Sequence, residues 1–559
     1  MRRLFSLLVI LIAGTAFAAD STPVRYLVTT RGPAPASRTE IRERYRDLQP
    51  WERKSLYFHP LHNIDGFIAD MSPEDAAKLR AESGVVAVEP DHEVHILETS
   101  HPDGGPWIRP TPSTAAVTAE SVTAQTVPYG ILAIHADKLW SIANGAGIKV
   151  GIIDTGIDKT HPDLAAAFKG GYDFVDNDSD PNDENGHGTH VAGTIAAQNN
   201  AIGVVGVAPG AEIYSLRILG ADGSGSISAE IKAIDWAISH GMNVINLSLG
   251  SPDSSVLEEQ AFQRAYDAGV LAIAAAGNDG AQTLSYPGAY PTVVSVGAVD
   301  EKQALASFSN QGTDLKVVAP GVKVFSTMPV GSAEIASVAS SGANISAAPF
   351  DGSPHGDATG PVVDCGEGKT TQIPASVRGK IALIARSNAI ANMTFNEKVR
   401  NAVNAGAIGV IVADNIDEDI NSRGWTLIRT DPATNKANQD DVTFPWPVTV
   451  FVSKSDGASL RASQGTDATV SAAPYDYGTL NGTSMATPHV AGTAALIWSL
   501  DPQAKAFEVR NAILSTASDL GAAGWDPSFG FGEIDALAAG KRLAPEKFPF
   551  TPRHRAAHP

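Results

Sequence analysis

Asp154 ends the apolar run VGIID, and His187 lies between glycines in NGHGTHVAG. Asn278 follows the small-residue run AIAAAG, and Ser484 opens a helical stretch in LNGTSMATPHVAG. A carboxylate that closes a buried strand has no ready water and needs a hydrogen-bond partner. An imidazole can be that partner through one ring nitrogen and take the proton of a serine hydroxyl through the other. A helix start offers backbone N–H groups and a positive dipole end to an oxyanion. The Asn278 amide can donate to the same developing charge, an effect typically worth ~3–4 kcal/mol of barrier. Singly, each residue has a plainer reading: Asp154 as a loop cap, His187 as a packed histidine, Asn278 in a turn, Ser484 as an N-cap. His187 and His190 also make an H-x-x-H pair, but no acidic third ligand fits a zinc hydrolase. Together the four describe nucleophilic acyl transfer.

The elements that would hold them alternate in kind. From about Ala124, apolar strands (IKVGIID, GAEIYSLRIL, MNVINLSLG, VLAIAAAGN, TVVSVGAV) are separated by helical stretches such as SAEIKAIDWAISHG and SVLEEQAFQRAYDAG. Strands apolar throughout, with helices between them, predict an α/β fold with a mostly parallel sheet covered on both faces. Such folds gather chemistry at the carboxyl ends of their strands. Residues 331–475 interrupt this pattern with strands of their own. Residues 24–97 read as a small α+β unit: strand VRYLVTT, charged helix RTEIRERYRDL, strand IDGFIADM, a helix opened by Ser72-Pro73-Glu74-Asp75, and strand GVVAVEPD. Residues 98–123 read as a linker rich in Pro, Ser, Thr and Ala, and 542–559 as a Pro-rich basic tail.

The 559 residues carry a formal charge of −20, which argues against a nucleic-acid binder. MRRLFSLLVILIAGTAFAAD has a positive start, an apolar run too short to span a bilayer and a small-x-small site, so 1–18 reads as a secretory signal peptide. The expectation is a secreted protein with no stable membrane anchor. Its single cysteine, Cys365, allows no internal disulfide and leaves a thiol that is either buried or reactive.

VGIIDTGID, NGHGTHVAG, AAAGNDG and NGTSMATPHVAG resemble, in this order, the Asp, His, oxyanion Asn and Ser motifs of the subtilisin-family serine endopeptidases. The resemblance covers 124–330 and 476–541 and implies a three-layer subtilisin-like catalytic domain. It implies a triad of Asp154, His187 and Ser484, with Asn278 at the oxyanion and no catalytic cofactor. Gly482 and Thr483 would let a substrate carbonyl approach. Pro488 is expected in the first helical turn, where a missing N–H costs least.

Gly223, Ser224 and Gly225 would form one edge of a substrate cleft, and Ser248, Leu249, Gly250 and Ser251 the other, pairing with the backbone of an extended protein or peptide. Ala275 and Gly277 belong to the same implied surface. Alanines 274–276 imply a roomy pocket favouring a large apolar or aromatic residue, and Asp279 could admit a basic one.

Two calcium sites are implied. Gln125, Asp163 and Asn200, with the carbonyls of Gln198, Ile202 and Val204, resemble the family's tight Ca²⁺ site. Asp173, Asp176, Asp178, Asp180 and Asn182 resemble a weaker calcium loop, although an acidic loop of this kind can equally be solvated. Residues 24–97 resemble an inhibitor-type propeptide, a chaperone and inhibitor for its own chain, cut away in the linker between about Leu97 and Ala124. Residues 331–475 resemble a protease-associated (PA) insert, read as a lid over the cleft. The expected function is therefore a self-processing zymogen of a serine endopeptidase. The alternative is a catalytically silent scaffold that binds through its insert.

Overall fold

Strands that must satisfy every backbone group while both faces are buried pair through many non-local contacts, and that requirement organises this chain. The computed structural model describes residues 23–33, 35, 37, 39–40, 57–97, 125–386, 393–416, 420, 425–431 and 436–548. The expected signal peptide, the linker, nearly all of the RTEIRERYRDL helix and the end of the tail lie outside these residues. The chain divides into two compact units, residues 1–91 and 92–559.

In the first unit β1 (Val24–Thr30), β2 (Phe58–Pro60), β3 (Gly66–Met71) and β4 (Val85–Pro90) form a sheet in the order β2-β3-β1-β4. Helix α1 (Pro73–Arg80) starts as its sequence requires: the Ser72 hydroxyl accepts from Asp75 N at 3.1 Å and Pro73 takes the first position. Its buried Ala76 and Leu79 cover Tyr26, Val28 and Phe67 of the sheet.

The second unit begins with β5 (Glu93–Ile96) and continues with β6 (Lys149–Asp154), β7 (Phe168–Asp173), α2 (His187–Ala196), β8 (Glu212–Arg217), β9 (Ser224–Ser226) and α3 (Ile227–Ser239). Then come β10 (Val244–Leu247), β11 (Leu249–Gly250), α4 (Val256–Asp267), β12 (Leu271–Ala275), β13 (Val294–Val299), β14 (Val317–Pro320) and β15 (Val324–Thr327). Seven of these strands form a parallel sheet in the order β14-β13-β12-β10-β6-β8-β7. The central strands β10, β12 and β13 are buried at every residue, as their unbroken apolar runs predict. Helix α5 (Thr483–Trp498) is buried at all sixteen positions, so it lies in the core rather than on a face.

Between β15 and the strand β16 (Tyr477–Leu480) the chain makes a long excursion. β15 and β16 pair antiparallel from Val324↔Leu480 to Thr327↔Tyr477, so the ends of the excursion are neighbours. The excursion builds its own eight-stranded mixed sheet. Ala333–Ser340 pairs antiparallel with Ala343–Asp351 and Asp467–Tyr475, while Gly356–Asp364, Ile381–Ala385, Gly409–Ala413 and Val448–Val452 run parallel to their neighbours in that order. Cys365 lies in its core with Val377, Ile384 and Val399. Burial pushes the thiol up to about 11, which settles the choice between a buried and a reactive cysteine. Among the described residues no helix is long and apolar enough to cross a membrane.

Two consequences are measurable. A thiol reagent at pH 8 should leave the folded protein unmodified and label one equivalent once it is unfolded. The second concerns His190 in α2 and His489 in α5, both fully buried. Burial holds them neutral, at about 3 and about 4 against an ordinary 6.5. An unfolded histidine takes a proton below 6.5 and these do not. Their stabilising contribution is therefore complete above that pH and is lost as pH falls, by roughly 1.4 kcal/mol per pH unit per histidine. Chemical denaturation at pH 7 and pH 5 should show the drop, and His489→Gln should make it shallower.

Candidate active site

Asp154 is the last residue of β6, and His187 the first of α2. His187 Nδ1 lies 2.7 Å from Asp154 Oδ1, an oxygen that also accepts from Thr155 N at 2.7 Å. Both side chains are buried. The bond fixes Nδ1 as the protonated nitrogen and points Nε2 the other way.

A residue that motif reading passed over sets the helix start. Asp183 accepts from Thr155 Oγ1 at 2.9 Å, Asn185 N at 2.9 Å, Gly186 N at 2.8 Å, Thr189 N at 2.9 Å and Thr189 Oγ1 at 2.6 Å. One carboxylate thus ties the Asp154 strand end to the turn that carries His187. An acid four residues before a helix start was the available signal.

Ser484 is the second residue of α5 and buried. Its hydroxyl donates to Ser248 O at 3.0 Å, and its own carbonyl accepts from Ser248 Oγ at 2.8 Å. The second bond corrects the expectation for Pro488. The helix begins at Thr483, so Pro488 sits in its second turn, where an N–H would have served the Ser484 carbonyl. Ser248 replaces that missing donor, and Asn246 Nδ2 donates to Ser248 Oγ at 3.0 Å.

Asn278 follows β12 with its amide orientation fixed. Its Oδ1 accepts from Thr483 N at 2.9 Å and Thr483 Oγ1 at 2.8 Å, which leaves Nδ2 to donate elsewhere. It donates to the carbonyl of Leu97, and Ser484 Oγ lies 3.5 Å from that same oxygen. Gly482, with φ 156°, leaves the space open: a Cβ there would stand 3.1 Å from Asn278 Nδ2 and 3.6 Å from the Leu97 oxygen.

Leu97 arrives on β5, which lies antiparallel between β9 and β11. Val94 pairs with Gly225, His95 with Ser224 and Gly250, and Ile96 with Leu249, while Ile96 N donates to Gly223 O at 3.0 Å. The expected edge residues Gly223, Ser224, Gly225, Leu249 and Gly250 therefore do grip an extended segment. Val94 and Ile96 are buried in it, and Glu93 and His95 are exposed. Leu97 reaches to 3.1 Å from where a Cβ on Gly250 would lie, so a larger residue at 250 would crowd it. Ser251 pairs away from the cleft with Tyr286, and Ser248 serves Ser484 instead. Gly277 donates to Thr483 Oγ1 at 3.3 Å, and Ala275 is buried in β12.

The residues of the first implied calcium site lie together, but Gln125 presents its Nε2 to the others rather than the expected side-chain oxygen. Gln125 Nε2 faces four oxygens at once: Gln198 O at 2.6 Å, Val204 O at 3.1 Å, Ile202 O at 3.2 Å and Asn200 Oδ1 at 3.4 Å. An amide has two protons, so the ring offers more acceptors than it can use. Asp163 adjoins the ring, accepting from Asn200 Nδ2 at 2.8 Å and Val204 N at 2.9 Å. Hard oxygens around one point with a carboxylate beside them fit Ca²⁺.

The second set does not gather. Arg217 Nη1 pairs with Asp173 at 2.7 Å and Asp176 at 3.0 Å, and its Nη2 pairs with Glu184 at 2.7 Å. Asp180 pairs with Lys159 at 2.6 Å, Asp178 accepts from Asp180 N at 2.8 Å, and Asn182 N donates to Asp180 O at 2.8 Å. A guanidinium already occupies the centre of these carboxylates, and among the described residues no three His, Cys, Asp or Glu side chains converge on a metal position. The expected second calcium site is corrected to an arginine-centred ion cluster.

The subtilase family model matches residues 145–352, the PA domain model 358–460 and the peptidase inhibitor I9 model 52–97. The chain is 43% identical over 286 residues to the M-protease of Shouchella clausii (strain KSM-K16), spanning 50% of this chain and 74% of that protein. It is 52% identical over 207 residues to Subtilisin Savinase of Lederbergia lenta, 37% of this chain and 76% of that one. The crystal structure of the psychrophilic subtilisin-like protease Apa1 from the Antarctic psychrotroph Pseudoalteromonas sp. AS-11 aligns with a TM-score of 0.55 and 35% identity, covering 77% of this chain and 100% of that one. The subtilase match ends before Ser484, which the fold returns to the site through β16 and α5. With its parallel sheet, its PA domain and its I9 segment, the chain belongs to the subtilase family of serine endopeptidases.

Proposed function

We propose that this endopeptidase is exported as a zymogen and makes its first cut in its own chain, after Leu97. The observation that carries the reading is the seat of Leu97: its carbonyl oxygen meets the Asn278 amide and the Ser484 hydroxyl while β5 fills the cleft. Ser484 Oγ attacks the Leu97 carbonyl carbon, and its proton passes to His187 Nε2. Asp154 holds the imidazole and stabilises its charged form. The tetrahedral oxyanion takes the place of the Leu97 oxygen beside Asn278 Nδ2. His187 then protonates the nitrogen of Glu98 as the Leu97–Glu98 bond breaks, leaving an acyl ester on Ser484. A water, deprotonated by His187, attacks that ester and frees the Leu97 carboxylate and Ser484. The freed segment is self-complementary to the cleft, so residues 24–97 inhibit until they are degraded. Protein substrates bind the same way, with buried apolar residues at the positions of Val94 and Ile96 and a half-buried one at the position of Leu97.

Expression of the full precursor tests this. Wild type should yield a chain whose first N-terminus is Glu98, and Ser484→Ala should keep its Leu97–Glu98 bond intact. Processing of the Ser484→Ala protein by itself would sink the proposal. Asn278→Ala should lower kcat by about 10²–10³ with KM little changed, the magnitude known for loss of this donor in subtilisin itself.

Gln125, Asp163, Asn200 and the carbonyls of Gln198, Ile202 and Val204 would hold a structural Ca²⁺, which ties the segment at Thr126 to the loop before Val204 and takes no part in the reaction. Because an ion bound only by the folded state stabilises it by mass action, chelation should lower the melting temperature of the mature enzyme. Asp163→Asn should lower it without chelator and blunt the response. A melting temperature indifferent to chelator in the wild type would count against the ion.

A further inference from the structure

Away from the reacting carbonyl, two cations line one cavity without an ion-pair partner among the described residues. In the parallel sheet β6 ends at Asp154 and β12 runs into Asn278, whereas Lys316 precedes β14 at the sheet's opposite end. There a cavity of about 590 Å³ is lined by Lys316, by Arg510 and Leu514 of helix α6 (Ala506–Ser515), and by Trp525 and Phe531 from the chain that follows. Arg510 and Leu514 are four residues apart on that helix and share a face. So do Asn511 and Ser515, which complete the lining.

Lys316 and Arg510 are both half-buried. Arg510 Nε is buried with no acceptor among the described residues, so a fixed N–H is held out of water and unused. Burial lowers Lys316, and the neighbouring Arg510 lowers it further. An anion between the two would relieve that repulsion. The nearby carboxylates are engaged elsewhere. Asp314 acts on Lys316 from an exposed position and accepts from Thr313 Oγ1 at 3.3 Å. Asp519 accepts from Gly524 N at 2.8 Å, and Asp526 accepts from Ala522 N at 3.0 Å, Ser528 N at 2.8 Å and Phe529 N at 2.9 Å. The acids of this loop thus hold the loop itself, and the loop holds its rings in place. Trp525 Nε1 donates to Leu315 O at 2.9 Å, and Phe531 N donates to Lys316 O at 2.7 Å. Trp525 and Phe531 are nevertheless 40% and 42% exposed, large apolar surfaces left uncovered beside two cations.

We propose that this cavity is a binding site for a carboxylate carried on an aromatic or large apolar body. The Arg510 guanidinium offers a planar pair of donors that matches a carboxylate, and Lys316 adds a second positive charge. Trp525, Phe531 and Leu514 enclose the apolar part. An inorganic anion would use the charges and leave the rings idle, and a neutral aromatic would leave the charges unmet. The volume suits a small molecule rather than a single ion. Two sources carry this chemistry: the free end of a peptide that finishes in a large apolar residue, and a free aromatic acid. A bound ligand joins α6, the start of β14 and the loop of Trp525, so it stabilises the fold without competing for the cleft.

Calorimetric titration of the Ser484→Ala protein, whose cleft is filled by β5, tests this. The probes are N-acetyl-phenylalanine, N-acetyl-phenylalaninamide, hydrocinnamate and inorganic phosphate. N-acetyl-phenylalanine or hydrocinnamate should bind saturably at one site. The amide should bind about tenfold or more weakly than the acid, the loss of one charge-assisted hydrogen bond. Arg510→Gln and Lys316→Gln should each weaken the acid by about the same factor, and Trp525→Ala should weaken it through the lost apolar wall. Binding of N-acetyl-phenylalanine without hydrocinnamate names a peptide end as the ligand. Binding of hydrocinnamate names a free acid, and either result supports the site. Equal binding of acid and amide overturns the proposal, as does phosphate bound as tightly as the acids, which would make this a counter-ion site only. Acid binding unchanged in both charge variants, or no binding of any probe, overturns it too. If Arg510→Gln does not fold, Lys316→Gln decides. No step of the test uses hydrolysis, so it stands or falls apart from the protease reading.

Discussion

All sixteen residues of α5 are buried, and that one fact constrains the parallel sheet, the cleft and the nucleophile together. A helix with no solvent face must be small-sided or tightly matched, and it must satisfy its terminal groups from protein alone. Its start meets the strand ends at Asn278 and Ser248. The groups that satisfy it are those that surround the reacting carbonyl: Thr483 binds the Asn278 amide, and Ser484 exchanges two hydrogen bonds with Ser248. Stability and catalytic geometry draw on the same contacts, so little in this region can change for one purpose without touching the other.

The carboxyl ends of the strands then act as a rack. Asp154 closes β6, Ser248 follows β10 and Asn278 follows β12, adjacent strands in one sheet. His187 enters from the loop side on a helix whose first turn is organised by Asp183. The electrostatics follow from burial more than from counter-charge. His190 and His489 are kept neutral by it, so the imidazole beside Asp154 has no competing cation among them.

Much of this was legible in the sequence because the central strands are buried on both faces and read as unbroken apolar runs. The four reactive residues stand at run boundaries, where polarity changes abruptly. What was not legible depends on partners far away in the chain. EVHI carries no mark that it will pair with residues around 225 and 250, since a four-residue strand has little pattern of its own. The acidic loop after β7 shows five metal-like ligands but not Arg217, which arrives from a different strand to pair with Asp173 and Asp176. Pro488 looked like a first-turn proline because the helix start was placed by motif. Only the bond from Ser248 shows why a second-turn proline is tolerated.

The pairing of β15 with β16 has a consequence for how such a chain can be assembled. The insert leaves after Thr327 and returns at Tyr477, two residues that face each other across an antiparallel ladder. A tight turn could join them, so the catalytic scaffold requires only that whatever lies between begins and ends at adjacent points. Closing a longer loop there costs only slowly more entropy as its length grows. The hairpin is thus a docking port in the gene as much as in the fold: modules of very different size can be spliced into it while the strand ends that hold Asp154, Asn278 and Ser484 stay in register.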